Sequence, residues 1–402
     1  MPGLETLALS VVAGRGARWE TPAQSGWSHL LEHMVFKGAG SRTARGLVEA
    51  IEDQGGSINA ATGYERTSFQ VRALKGGLPL AVEVLSDLVL RPTLDADELV
   101  REIGIVGQEI AEATDTPDDR VFDLAQTTAF TGQSLGRPIL GLLETIGAAS
   151  RNDLAAFRGE IYAAQSLIIS AAGAVDPDAL LALAEAAFGS AASGPAGSLA
   201  PARFVGGAAA EVRRLEQAHL VLLLPGVGAR DPDYFPFRIF AEALGGGMSS
   251  RLFQEAREKL GLAYNIDAYA ESYADVGVLG VYAGAGASDA SRTAQVVAEQ
   301  VLALAGGPAA GELERAKAQL KAALFMARES PLARAEQAAG QLLLFDRLFS
   351  PAELAGAVDA VSPADLRRVA ARMIEPGSAA AAVLGPKAAM KAPETFASAL
   401  FA

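Results

Sequence analysis

The chain contains no cysteine, and only three histidines among its 402 residues. Without cysteine there is no disulfide framework, iron–sulfur cluster or thiolate metal site, so any transition metal must be held by histidine and carboxylate. The same lack fits a cytoplasmic protein. Cationic residues are in deficit. Lys and Arg number 34 against 47 Asp and Glu, giving a net charge of −13 and a pI near 4.9. Nucleic acid binding requires a basic face and is therefore not expected. No apolar run reaches the roughly 18 residues of a bilayer span, so no membrane partner is expected either. The start, Met1 to Leu7, has no basic segment ahead of its apolar run and reads as a strand, not a signal peptide. A periplasmic location is expected only if a leader was removed ahead of Met1.

Apolar residues are plentiful, half of the total, and the length points to two domains of roughly 200 residues each. Leu7 to Ala13 reads as a strand. Helices are expected over 26–36 and 43–54, strands over 57–62 and 67–74, then helices over 78–90, 97–113 and 117–130. A helix over 151–161, a strand over 166–174 and a helix over 177–188 follow. Gly189 to Pro201, rich in Gly, Ala, Ser and Pro, marks an interdomain linker, placed at 191–205.

The second half repeats the first. A strand at Leu220–Leu224 answers the one at Leu7 (220 − 7 = 213), and Asp97-Glu98-Leu99 answers Gly311-Glu312-Leu313 (312 − 98 = 214). Between them helices are expected over 233–244 and 249–259, strands over 263–270 and 276–283, and a helix over 292–304 before the long helix at 311–327. A repeat this long denotes two similar domains, since solenoid periods run about 20–50 residues. The expected fold class is α+β: two homologous α/β domains, 1–190 and 206–402, each a mixed, mainly antiparallel sheet packed with helices.

Two of the three histidines stand four apart in Ser28-His29-Leu30-Leu31-Glu32-His33-Met34. On a helix they share one face and reach one metal ion, with Glu32 leaning toward the same side. This is the H-x-x-E-H arrangement of a catalytic zinc site, the inverse of H-E-x-x-H. A catalytic zinc takes three protein ligands, so one more is needed. His219 has no helical partner and begins an expected strand, which excludes it. The helix after Asp95 carries Glu98, Glu102, Glu109 and Glu112; Glu102 and Glu109, two turns apart, share a face. One of them can reach the metal while the other sits behind a ligand imidazole. At the offset of 214 these two positions become Ala316 and Ala323, and the second half has no counterpart of His29 or His33. The C-terminal domain is therefore expected to lack the metal site.

These residues resemble the insulinase-like (inverzincin) zinc metallopeptidases, and in particular the two-domain subgroup typified by the mitochondrial processing peptidase. His29-Leu30-Leu31-Glu32-His33 followed by Met34-Val35-Phe36-Lys37-Gly38 matches the active-site helix of that family. Glu109 stands 109 − 33 = 76 residues on, as the third zinc ligand does, and Glu102 matches the upstream glutamate. Gly56-Ser57-Ile58-Asn59-Ala60-Ala61-Thr62 resembles the edge strand that pairs with substrate, so Asn59, Ala60, Ala61 and Thr62 are expected to bind peptide. Leu135 to Gly141 is another shared stretch. Arg257 and Tyr264, seven apart after Gly245-Gly246-Gly247, match a substrate-contacting pair. The family pattern departs at Ala164, where many relatives have proline, and in a missing or short first strand.

The resemblance implies one Zn2+ per chain, held by His29, His33 and Glu109. Glu32 then serves as general base toward a zinc-activated water, with Glu102, Arg257 and Tyr264 in catalytic support. It implies hydrolysis of short or unfolded peptides gripped by backbone pairing. It also implies a homodimer in which the Arg–Tyr pair comes from the partner chain, or a heterodimer with a homologous subunit. The alternative is a catalytically silent or heterodimer-dependent subunit acting as a peptide-binding scaffold. A lyase on a related H-x-x-E-H scaffold needs the cysteine that is absent here. Gly245–Gly247 lacks the Lys and Ser/Thr of a phosphate loop and reads as a helix-ending turn.

Overall fold

Seven consecutive buried residues make Thr6–Ala13 (β1) a central strand, covered on both faces. In the computed structural model, which describes every residue except Pro2 and Ala196, it lies in a four-stranded antiparallel sheet. The helix Trp27–Val35 (α1) follows, then a two-residue ribbon, Gly38–Ala39 (β2) with Arg42–Thr43 (β3), and the helix Ala44–Glu52 (α2). Next come Ser57–Thr62 (β4), Thr67–Leu74 (β5) and the helices Leu78–Leu90 (α3), Ala96–Asp115 (α4) and Pro117–Ala129 (α5). Leu167–Gly173 (β6) completes the sheet, in the order β4-β5-β1-β6. β4 is at one edge, paired with β5 alone, Thr62 opposite Thr67.

The second sheet contains Gly207–Val212 (β7), Gln217–Gly226 (β8), Ala263–Ser272 (β9), Gly277–Gly286 (β10) and Ala380–Gly385 (β11), in the order β7-β11-β8-β10-β9. β7 runs parallel to β11; the other pairings are antiparallel. The run β11-β8-β10-β9 repeats β6-β1-β5-β4, which is the duplication expected from sequence. Each sheet has its own core, one around Leu9, Leu30, Phe69 and Leu85, the other around Leu222, Phe237, Phe240 and Phe396. The α+β class with two mainly antiparallel sheets is as expected.

The partition of the chain differs from the contiguous one anticipated. One compact unit consists of Met1–Ala111, Pro138–Ala200 and Met326–Leu348; the other consists of Glu112–Arg137, Pro201–Phe325 and Phe349–Ala402. The cause is an exchange of helices. α5, from the first half, packs on β8 and β11, while Pro331–Phe345, from the second half, packs on β1 and β6. Glu336 on that helix accepts hydrogen bonds from Ser10 of β1 and, at 3.0 Å, from Ser68 of β5. Gly194 and Pro195 of the expected linker are tied down within the first unit. Arg15 Nη2 donates to the Pro195 carbonyl (3.1 Å), and Gln165 and Gly194 exchange two hydrogen bonds (2.9 and 3.1 Å). Pro2, in the expected N-terminal domain, and Ala196, in the expected linker, lie outside the described residues. Among the described residues no helix is long and apolar enough to cross a membrane.

Candidate metal centre

Helix α1 buries Trp27, Leu30, Leu31, Met34 and Val35 and turns His29, Glu32 and His33 toward the opposite, half-open side. Its entry is rigidly made. The buried Glu20 carboxylate accepts from the backbone N–H groups of Gly26 (2.9 Å) and Ser28 (2.7 Å), satisfying donors that a helix start leaves without partners. Gly26 and Gly141 both have positive φ, +90° and +75°, and their backbones meet directly. A Cβ on Gly141 would lie 2.3 Å from the Ser25 carbonyl oxygen. Trp27 Nε1 donates to the Thr145 carbonyl (2.9 Å). The stretch ending at Gly141 is thus a brace for α1.

The α4 helix presents Glu102, Val106 and Glu109 on the side facing α1, with Glu102 only 1% exposed. Glu109 Oε2 lies 3.7 Å from His29 Nε2 and 3.6 Å from His33 Nε2. All three ligand atoms fall within 4.8 Å of one another, and they form the one such group among the described residues. A tetrahedral ion with arms of about 2.0–2.1 Å holds its ligand atoms about 3.4 Å apart, so the donor set fits zinc in both chemistry and spacing. The other ring nitrogen of His33, Nδ1, meets Glu102 Oε2 at 3.1 Å, and Glu102 Oε1 pairs with Lys37 Nζ at 2.7 Å. Glu102 therefore holds the His33 ring by the nitrogen that does not face Glu109, as an outer partner of a metal ligand would, and Lys37 balances its buried charge.

Burial, and secondarily the neighbouring His33, lower the His29 pKa to about 4. The ring is therefore neutral, as a metal ligand must be. Burial raises the Glu32 carboxyl above its ordinary value, against the opposing effects of the Thr62 hydrogen bond and His33. Thr62 Oγ1 donates to Glu32 Oε2 at 2.5 Å. Of the expected peptide-binding residues, Asn59 and Ala61 are exposed, whereas Ala60 and Thr62 turn inward toward α1.

Arg257 and Tyr264 lie in the second unit and form a pair of their own. The Arg257 guanidinium sits 5.0 Å above the Tyr264 ring and 4.5 Å above that of Phe253. Phe253–Lys259 is a π-helix, a rare form enriched at functional positions. Tyr264 is 78% exposed. Glu65 pairs with Arg18 at 2.6 Å, and His219 Nδ1 meets the Tyr282 hydroxyl at 2.9 Å, so neither joins the metal group. Sequence reasoning overlooked Lys37, Glu20 and the hydroxyl of Thr62. Lys37 was legible as the residue one turn beyond His33, but Glu20 reaches α1 across an irregular segment that no periodicity reveals.

Comparison with known proteins finds relatives over nearly the whole chain. The family model described as insulinase, peptidase family M16, matches residues 2–142, and the model described as the M16 inactive domain matches residues 148–320. An uncharacterized zinc protease of Rickettsia bellii is 34% identical over 387 residues, covering 96% of this chain and 94% of its own. The chain belongs to the insulinase family of peptidases, M16. The zinc protease YmxG of Bacillus subtilis is 36% identical over 82% of this chain and 81% of its own. The human mitochondrial-processing peptidase subunit beta is 31% identical over 96% and 81%. A protease from Helicobacter pylori shares the fold with a TM-score of 0.87 at 21% identity, over 95% of each chain. The residues matched as the inactive domain contain none of His29, His33 and Glu109.

Proposed function

We propose that this M16 peptidase is a zinc-dependent endopeptidase acting on short or unfolded peptides. The observation that carries the reading is the convergence of His29, His33 and Glu109, with Glu109 Oε2 3.7 and 3.6 Å from the two Nε2 atoms and all three candidate ligand atoms within 4.8 Å of one another. Zinc held there would supply Lewis acidity toward the scissile carbonyl and acidify the attacking water. Glu32, desolvated on the same helix, accepts the proton of that water and returns it to the leaving amine. Glu102 and Lys37 hold the His33 ring in place. The edge strand β4 grips an extended peptide through its backbone, which reads chain direction more than side chain. The resemblance, and the exposure of the stacked Arg257–Tyr264 pair, support their contacting substrate from a second copy of the chain in a homodimer. A heterodimer with a homologous subunit is the other arrangement to test.

The deciding experiment is cleavage of a mixed peptide library with and without a chelator, read by mass spectrometry, beside the Glu32→Gln variant. Chelator-sensitive hydrolysis is expected, lost in Glu32→Gln while about one zinc per chain is retained. Undiminished activity in Glu32→Gln would sink the base assignment. A zinc-loaded chain that binds peptides without cutting them would instead support the scaffold reading.

A further inference from the structure

Strand β4 is more than an edge. Its alternation sends Ile58, Ala60 and Thr62 toward α1 and leaves Asn59 and Ala61 outward. Ile58 and Ala60 pack on the core of the unit. Thr62, at the end of the strand, donates its hydroxyl hydrogen to Glu32 Oε2. Its position is fixed from two sides. It stands opposite Thr67 in the β4–β5 ladder. The turn that follows is closed by Gly63 N–H to the Arg66 carbonyl (2.8 Å) and anchored by Ala17 N–H to the Gly63 carbonyl (3.0 Å).

We propose that Thr62 is a positioning residue, fixing the general base Glu32 to the strand that receives the peptide. The proposal rests on the reading of Glu32 as base. A glutamate on a helix samples several rotamers. A hydroxyl held by a strand selects one of them, and a charge-assisted bond of this kind is stronger than a neutral one. A peptide pairing with the free edge of β4 adds a second ladder to the same strand and stiffens it along its length. Substrate capture and base orientation then depend on one element. The inward turn of Thr62 leaves backbone pairing untouched, because pairing uses main-chain groups.

The experiment compares Thr62→Val, which keeps the shape and removes the hydroxyl, with Thr62→Ser, which keeps the hydroxyl. The full chain is used, zinc-loaded for kinetics and metal-free for binding of a fluorescent extended peptide. In Thr62→Val, kcat is expected to fall on the order of tenfold or more with KM unchanged. Peptide affinity of the metal-free form stays at the wild-type level, and Thr62→Ser recovers most of the rate. A Thr62→Val enzyme with wild-type kcat overturns the proposal. So does a Thr62→Ser enzyme as slow as Thr62→Val. Failure of the unaltered chain to hydrolyse any peptide overturns the base assignment itself, and is seen before any variant is compared.

Discussion

Replacing Glu102 by alanine tests how far the proposed metal centre depends on groups beyond its three candidate ligands. The carboxylate is 2% exposed and holds two partners, His33 Nδ1 at 3.1 Å and Lys37 Nζ at 2.7 Å. Removing it leaves the imidazole without an acceptor and the ammonium without a counter-charge. Losing an outer partner of a ligating histidine costs about 10- to 100-fold in metal affinity. At about 1.4 kcal/mol per tenfold, that is about 1.4–2.8 kcal/mol. Breaking a fully buried ion pair costs about 3–5 kcal/mol of stability. The Lys37 side chain is 28% exposed, so water takes up part of its charge, and a loss of about 2 kcal/mol in the metal-free protein is the better figure. Zinc affinity would be measured by competition against a chromophoric chelator, and stability by urea unfolding of the metal-free chain. Lys37→Met alone should also destabilise, because it strands a buried carboxylate. The double variant should lose less than the sum of the two, since the pair is coupled. Unchanged zinc affinity in Glu102→Ala, or strictly additive losses, would refute the reasoning.

Two further outcomes follow from burial near the same helix. With zinc removed, the native state resists protonating His29 until about pH 4, while the unfolded chain protonates it at its ordinary 6.5. Between those values the unfolded state binds more protons, so stability falls as pH is lowered, by about 2 kcal/mol between pH 7 and pH 5. Urea midpoints at the two pH values should show the loss in the wild type and lose that share of it in His29→Phe; equal slopes would contradict the assignment. Glu20→Ala removes both caps of the α1 entry and should lower unfolding free energy by about 2 kcal/mol, a charged acceptor to two backbone donors being worth more than a neutral one. A change below about 0.5 kcal/mol, the scale of an ordinary surface substitution, would show that the braced glycine contact holds α1 unaided.

Periodicity made the regular elements of the first half legible. The strands 57–62 and 67–74 and the helices 78–90, 151–161 and 177–188 coincide with the observed ones. The i, i+4 histidines declare a common face before any fold is known, whereas spacing alone leaves Glu102 and Glu109 interchangeable and the choice of Glu109 rests on the family resemblance. Two things were not legible. The exchange of α5 and Pro331–Phe345 between units leaves no local signature, since an amphipathic helix packs as well on one sheet as on the other. The inward turn of Thr62 depends on which face of an edge strand meets α1, which alternation alone does not decide.

The duplication also bears on why the site exists. The long helix Glu312–Ala327 answers α4, and Ala316 stands where Glu102 would. Ala316 is 4% exposed and packs on the apolar core of the second unit, so that unit folds without a carboxylate there. Likewise the helix Tyr234–Gly245 buries Phe237, Ile239, Phe240, Ala241, Ala243 and Leu244, and its polar stripe holds Arg238 and Glu242 where α1 has its two histidines. Burying the Glu102 charge is unfavourable unless it is paired, and the first unit carries Lys37 and His33 to pair it. One molecule thus contains both solutions to the same packing problem. The carboxylate whose loss would strand Lys37 is also the one that holds His33, so the stability of the first unit and the orientation of that ring depend on a single buried charge.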